Sequence, residues 1–329
     1  MMMEQTLLRI ADLTVSVRNK KEDVPIVKGI DLVIPKGGVV GLVGESGCGK
    51  SMTAKAVNRL LPVSTRVTGG EILWYGDGSS AQDLVRLPER ALRHICGREI
   101  GMVFQEPMTS LNPLMRVGDQ VGEVLLLHRL VKTKEEAKAR VIKELEAVGI
   151  PEPALRYQAY PHELSGGMRQ RVVIAMAAIC EPKLLIADEA TTALDVTIEA
   201  QILKLIKSMC ETRNMSALVI THNMRVVAQI CDYVYVMYMG RVMEQATVKQ
   251  LFSEPAHPYT RGLLSSIPRI GEREDSLKAI PGNIPEMKKQ ITGCAFCLRC
   301  SDDIRDCFFE KPAMKQIGEH HFVRCHVRG

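Results

Sequence analysis

The sequence predicts an α/β fold, a largely parallel sheet carrying helices on both faces, and three observations support that prediction. Apolar runs at 39–43, 100–104, 184–187, 217–221 and 233–238 have the length and unbroken hydrophobicity of strands buried on both faces. Helical patterns fall between them, as crossovers between parallel strands require. The first run leads directly into a glycine loop and then a helix, the order that builds a phosphate cradle in such folds.

Taken in chain order, 8–17 alternates apolar and polar residues (Leu8, Ile10, then Leu13, Val15, Val17) and predicts a half-buried strand. Val39-Val40-Gly41-Leu42-Val43 is followed by Gly44-Glu45-Ser46-Gly47-Cys48-Gly49-Lys50-Ser51, a complete G-x-x-x-x-G-K-S loop. Its glycines let successive N–H groups turn inward onto phosphate oxygens, and the helix beginning near Lys50 adds the positive end of its dipole. Lys50 is placed to reach the β- and γ-phosphates, and the Ser51 hydroxyl to hold Mg²⁺. Thr133 and Glu136 form a capping box before a helix that runs to about 148, where Gly149 stops it. Ser165-Gly166-Gly167 precedes the helical run 172–180 and makes a second nest for an anion.

The run 184–187 ends in Asp188 and Glu189, and ligands of parallel sheets sit at the carboxyl ends of strands, so both carboxylates are expected beside the phosphate loop. Asp188 suits Mg²⁺, and Glu189 suits polarising a water that attacks the γ-phosphate. Ile198, Ile202, Leu205 and Met209 share one face of a further helix. From about 268 the texture changes, with Pro268, Pro281-Gly282 and Pro285 ahead of a cysteine-rich tail. This sets two expected domains, 1–260 and 261–329.

Composition narrows the function. Hydrophobic residues are 46% of 329, enough for a large core, while aromatics are only 4%, which argues against stacking platforms for nucleic acid. The net charge of +5 is spread without a basic block. The longest apolar stretch covers nine residues, 172–180, and a bilayer span needs about 20. The first residues lack the features of a signal peptide, so a cytoplasmic setting is expected, in which the ten cysteines are not disulfides.

The phosphate loop, Leu164-Ser165-Gly166-Gly167-Met168-Arg169-Gln170-Arg171 and Asp188-Glu189, in this order, resemble the motif set of ABC-type ATPases. Gln105 matches that family's Q-loop, Ala193-Leu194-Asp195 its D-loop and His222 its switch histidine, and the resemblance covers roughly residues 7–265. It implies a P-loop ABC-type nucleotide-binding domain: a RecA-like core, an antiparallel β subdomain and a helical subdomain. It also implies an ATP shared by two cassettes arranged head to tail. Lys50, Ser51, Gln105, Asp188, Glu189 and His222 then serve one ATP, with Gln105 also on Mg²⁺. Ser165 and Gly167 contact the γ-phosphate held by the partner, and Gly166 and Asp195 stand with them among the implied nucleotide-binding residues. Departures are Val17, where the family places an adenine-stacking aromatic, Ala190 in place of proline, and Asn223 in place of aspartate.

Two further segments, 104–113 and His257-Pro258-Tyr259-Thr260-Arg261-Gly262-Leu263-Leu264, resemble the dipeptide/oligopeptide importer branch, whose motifs nickel importers share. That resemblance implies a second ATPase subunit in a heterodimer, two membrane permeases docked around 105–125 and an extracytoplasmic binding protein. It places the chain peripherally on the cytoplasmic face of the membrane, with no nucleic-acid partner. Cys294, Cys300, Cys307 and Cys325 resemble the cysteine-rich end of one such subunit, with Cys297 as an alternate. Four thiolates fit a [4Fe–4S] cluster or a Cys₄ zinc site, and the resemblance favours iron–sulfur.

Overall fold

The computed structural model describes residues 6–19, 22–76, 78, 80–105, 110–191, 195–267, 280–285 and 291–329. Of the sequence readings, Pro268, Ala193, Leu194 and 106–109 of the Q-loop segment lie outside these.

Five parallel strands form the centre: β3 (Val39–Val43), β6 (Ile100–Val103), β7 (Leu184–Asp188), β8 (Ser216–Thr221) and β9 (Tyr233–Tyr238). They lie in the order β9-β3-β8-β7-β6, so β3 is flanked by strands almost 200 residues later in the chain. All five residues of β3 and of β7 are buried, as their continuous hydrophobicity predicts. Alternate side chains enter different cores. Leu185 and Ala187 join the helical side, with Val219, Val234 and Val236. Leu184 and Ile186 join the opposite side, with Leu218, Ile220 and Tyr235.

That opposite core is closed by a second, antiparallel sheet of β2 (Val24–Pro35), β1 (Thr6–Val17), β4 (Thr65–Trp74) and β5 (Gln82–Asp83), in that order. Periodicity flagged only β1 here. The others are interrupted by bulges: the β1–β2 and β1–β4 registers shift around Ile10–Thr14, where Asp12 takes φ 47°, Gly29 φ 65° and Gly70 φ 80°. A Cβ on Gly70 would lie 2.3 Å from the Asp12 carbonyl oxygen, so the bulge needs glycine there.

The helical subdomain runs from Val117–Leu127 through Lys134–Ala147 and Pro153–Arg156. Thr133 caps the second helix by accepting from the Glu136 N–H, but the Glu136 carboxylate closes on the Lys132 N–H, one residue before the expected partner. Gly149 follows with φ 76° and ends it. In the helix Val196–Arg213 the expected stripe is present but rotated: Ile202, Leu203, Ile206, Met209 and Cys210 are buried, while Ile198 and Leu205 are only partly so.

The C-terminal segment is bonded into the main sheet. β12 (His321–Val323) pairs with β10 (Arg241–Thr247), which pairs with β9, and β11 (Lys315–Gly318) forms the outer edge. Glu244 of β10 is fully buried there, and its carboxylate accepts from the Ala256 and His257 N–H groups and lies 2.8 Å from His321 Nε2. A buried carboxylate persists because all these donors converge on it.

Candidate active site

β3 delivers the glycine loop at its carboxyl end. Gly49 takes φ 106° and Gly47 φ 80°, conformations that favour glycine. Gly44 must be glycine for another reason, since a Cβ there would lie 2.1 Å from the Met237 carbonyl oxygen. Cys48 is buried beneath the loop, and burial pushes its thiol pKa up, so it packs as a small apolar group. The helix Lys50–Val57 starts immediately afterwards. Lys50 folds back over the loop, its Nζ donating to the Gly44 and Glu45 carbonyls at 2.7 and 3.0 Å.

β7 and β8 bring the carboxylates and the histidine to the same end of the sheet. The Ser51 hydroxyl donates to Asp188 Oδ1 at 2.8 Å. Burial pushes the Asp188 carboxyl up, opposed by that hydrogen bond and by Lys55 and Lys50. A buried carboxylate beside a hydroxyl and two ammonium groups suits a hard cation that arrives with phosphate oxygens. Glu189, the next residue, turns the chain with φ 47° while its N–H donates to the Ile220 carbonyl. The turn aims its carboxylate between two neighbours: Gln105 Nε2 donates to Oε2 at 2.8 Å, and His222 Nδ1 lies 3.4 Å from Oε1.

The remaining predicted residues stand on other elements. Ser165 is exposed and caps the helix Gly166–Ala178, accepting from the Met168 N–H. Gly166 is open on its Cβ side, and a Cβ on Gly167 would touch Ile198 at 3.1 Å. Asp195 is likewise exposed and caps the helix Val196–Arg213 through Ile198 N–H. Asn223 caps Met224–Ile230, so the amide does the work of the aspartate it replaces. Val17 is half-buried between Val24 and Thr65 on the neighbouring strands, neither of them aromatic.

Sequence reasoning missed two side chains that touch the loop, Tyr259 and Arg299, and a third, Tyr238, that braces Arg299. The Glu45 N–H donates to the Tyr259 hydroxyl at 2.8 Å. The Glu45 carboxylate is gripped by Arg299, with Nη1 at 2.7 Å from Oε2 and Nη2 at 3.0 Å from Oε1. Arg299 Nη1 also reaches the Tyr238 hydroxyl at 3.4 Å. Tyr259 lay inside a quoted segment: His257 caps the helix Pro258–Ser265 and thereby orients it. Burial pushes the His257 pKa down to about 3, leaving the ring neutral and its Nδ1 free to accept. Arg299 carried no signal, being 254 residues from Glu45.

The predicted cysteines gather at the C-terminal segment. Cys294, Cys297, Cys307 and Cys325 are buried, Cys300 is half-buried, and all ten cysteines of the chain are free thiols. Burial pushes Cys294 up to about 12 and Cys300 to about 11, with further contributions from Cys307 and Cys325. Yet among the described residues no group of three or more His, Cys, Asp or Glu converges closely enough to hold a metal ion. The donor chemistry is present; a ligand set is not.

Comparison with known proteins identifies the architecture. A family model described as ABC transporter matches residues 27–192, and one described as the oligopeptide/dipeptide transporter C-terminal region matches 243–307. The chain is 47% identical to the oligopeptide transport ATP-binding protein OppD of Bacillus subtilis, over 97% of this chain and 88% of that one. The chain belongs to the ABC transporter family. Other relatives of this cassette include the B. subtilis dipeptide transport ATP-binding protein DppD, 45% identical over 98% and 94% of the two chains. A peptide import ATP-binding protein of Brucella ovis is 46% identical over 98% of each. Among solved structures, the dimeric ATP-binding cassette MJ0796, bound to ADP and Pi, superposes with TM-score 0.64 at 26% identity, over 74% of this chain and 99% of that one. The fold of the cassette is thus shared with solved ATP-binding cassettes, and among the described residues no helix is long and apolar enough to cross a membrane.

Proposed function

We propose that this chain is the ATP-hydrolysing subunit of an importer for dipeptides or oligopeptides, with a nucleotide-binding cassette over 1–260 and an extension over 261–329. The observation that carries the reading is the convergence of Gln105, Glu189 and His222 within hydrogen-bonding range, next to Ser51 and Asp188 and at the mouth of the phosphate loop. The peptide cargo is supported by the names of the relatives and by the C-terminal family match.

In this reading Gly44 to Gly49 wrap the phosphates with backbone N–H groups, and Lys50 exchanges its two loop carbonyls for β- and γ-phosphate oxygens. Ser51, Asp188 and Gln105 would hold Mg²⁺, which when bound offsets the phosphate charge. Glu189 accepts a hydrogen bond from the attacking water and draws its proton away as the new O–P bond forms and the bond from the β,γ-bridging oxygen to the γ-phosphorus breaks, so that ADP leaves with the electron pair and phosphate is released. Gln105 and His222 keep that carboxylate aimed. Ser165, Gly166, Gly167 and Asp195 face a second cassette, supported by the exposure of Ser165, Gly166 and Asp195. A heterodimeric partner, two permeases and a binding protein complete the assembly at the cytoplasmic membrane face. Exposed Leu114 and Phe104 flank the Q-loop and offer apolar surface to a permease.

The cysteine-rich end is proposed to take a [4Fe–4S] cluster, or zinc, on Cys294, Cys300, Cys307 and Cys325, with Cys297 as alternate. The support is donor chemistry alone, and closing on a cluster requires the thiols to draw together; no step of hydrolysis runs through it. Anaerobic purification decides: a brown, iron- and sulfide-bearing chain is expected, and a colourless one without iron contradicts the cluster. Uptake of labelled peptides by cells lacking the chain tests the cargo. Loss of peptide uptake is expected, whereas loss of nickel uptake alone would overturn the peptide reading.

A further inference from the structure

The contact between Arg299 and Glu45 joins the far C-terminal segment to the phosphate loop. Arg299 is 4% exposed at its side chain and Glu45 23%, so the pair is shielded from water on the arginine side. Every nitrogen of the guanidinium is engaged. Nε donates to the Pro281 carbonyl at 3.0 Å, Nη1 reaches Glu45 and the Tyr238 hydroxyl, and Nη2 reaches Glu45 and the Ile280 carbonyl. The ring faces of Tyr238 and Phe296 lie 5.8 and 5.9 Å from the guanidinium carbon. Phe296 in turn packs on Tyr259, 5.3 Å between ring centres, and Tyr259 accepts the Glu45 N–H. Glu45 is thus held at both its backbone and its carboxylate by residues from beyond position 255.

The loop needs such support. On its outer side Gly47 has nothing within 4 Å of a Cβ, so glycine-rich backbone there is restrained by few neighbours. A free glycine loop must be ordered when phosphate arrives, and that ordering subtracts from binding; a loop already held does not incur it. Arg is suited to the task because its planar fork fixes both carboxylate oxygens at once, which a lysine ammonium does not. Among the described residues the only carboxylate paired with Arg299 is Glu45, and truncating either partner leaves the other poorly compensated.

We infer that Arg299 is a positioning residue for the phosphate loop: the C-terminal segment sets the shape in which residues 44–49 meet ATP. This rests on the reading that the loop binds ATP, and it predicts an effect on binding more than on turnover. The test measures Mg-ATP affinity, KM and kcat of the full chain in its complex, together with hydrogen exchange at the Glu45 and Ser46 amides without nucleotide. Arg299→Ala is expected to raise Kd and KM for ATP about tenfold with kcat within about twofold, and to speed exchange at those amides about tenfold. Glu45→Gln is expected to act in the same direction, Arg299→Lys to recover part of the loss, and the double variant to be no worse than the worse single. Unchanged Kd and exchange in Arg299→Ala, or additive losses in the double variant, would overturn the inference. If Arg299→Ala fails to fold, Glu45→Gln decides alone, because it keeps the size and shape of the side chain. Failure of the wild-type chain to bind Mg-ATP would instead reject the ATP reading, while the exchange measurement still judges Arg299.

Discussion

Glu189 sits in left-handed backbone, φ 47°, which a non-glycine residue adopts only at a local cost. That turn is what lets its carboxylate meet Gln105 and His222 while Asp188, one residue earlier, stays buried against Ser51. Glu189→Gln keeps the shape and loses the base, so turnover should fall by at least about 10²-fold with ATP affinity nearly unchanged, read by equilibrium binding and steady-state hydrolysis. Lys50→Ala should act differently. It removes the cation proposed to bind phosphate and is expected to weaken Mg-ATP binding by about 3 kcal/mol, measured by calorimetric titration. At this scale the sequence was readable where chemistry needs a fixed local order, as in 44–51 and 188–189. It was silent on Arg299 and Tyr259, because a contact between residues hundreds of positions apart leaves no spacing to detect. The cysteine reading named five thiols that are free and mostly buried, and among the described residues no three of them stand in ligand geometry.

Elements were legible in proportion to how regular their burial is. β3, β7, β8 and β9 stand where continuous apolar runs put them, since both faces of each are covered. β2 and β4 were not found by pattern, because bulges at Asp12, Gly29 and Gly70 break their period of two. The helix Gly166–Ala178 begins at a serine that caps it, so Ser165→Ala should cost about 1 kcal/mol in a urea titration. Ser165→Arg is expected to leave ATP binding by the chain intact and to abolish hydrolysis in the complex, as it obstructs the face offered to a second cassette. The helical subdomain depends on close approach at Gly118, where a Cβ would lie 2.2 Å from the Tyr157 ring. Gly118→Ala should therefore lower stability by about 1–3 kcal/mol, seen as a shifted denaturation midpoint with an unchanged slope.

For the whole molecule, the sheet order explains how one site draws on the entire chain. The five parallel strands, drawn from residues 39 to 238, end at the same edge, and the C-terminal segment both touches the loop that β3 began, through Arg299, and joins the sheet through β12 on β10. The chain also carries shielded thiols: partial burial pushes Cys96 and Cys180 up to about 11, and full burial pushes Cys210 and Cys231 to about 12, from an ordinary value of 9.0. In the unfolded chain these thiols ionise near 9, and in the fold near 11 to 12. Stability is therefore full below about pH 9 and lost as pH climbs towards 12, and replacing Cys210 and Cys231 with alanine should flatten that loss in thermal melts. The central claim remains that this chain holds half of an ATP site which a second cassette completes. Native mass spectrometry of the Glu189→Gln complex, isolated from membranes in Mg-ATP, tests it most directly. Two cassettes carrying two ATP molecules on a pair of permeases are expected; a complex holding one cassette with its ATP would contradict the account.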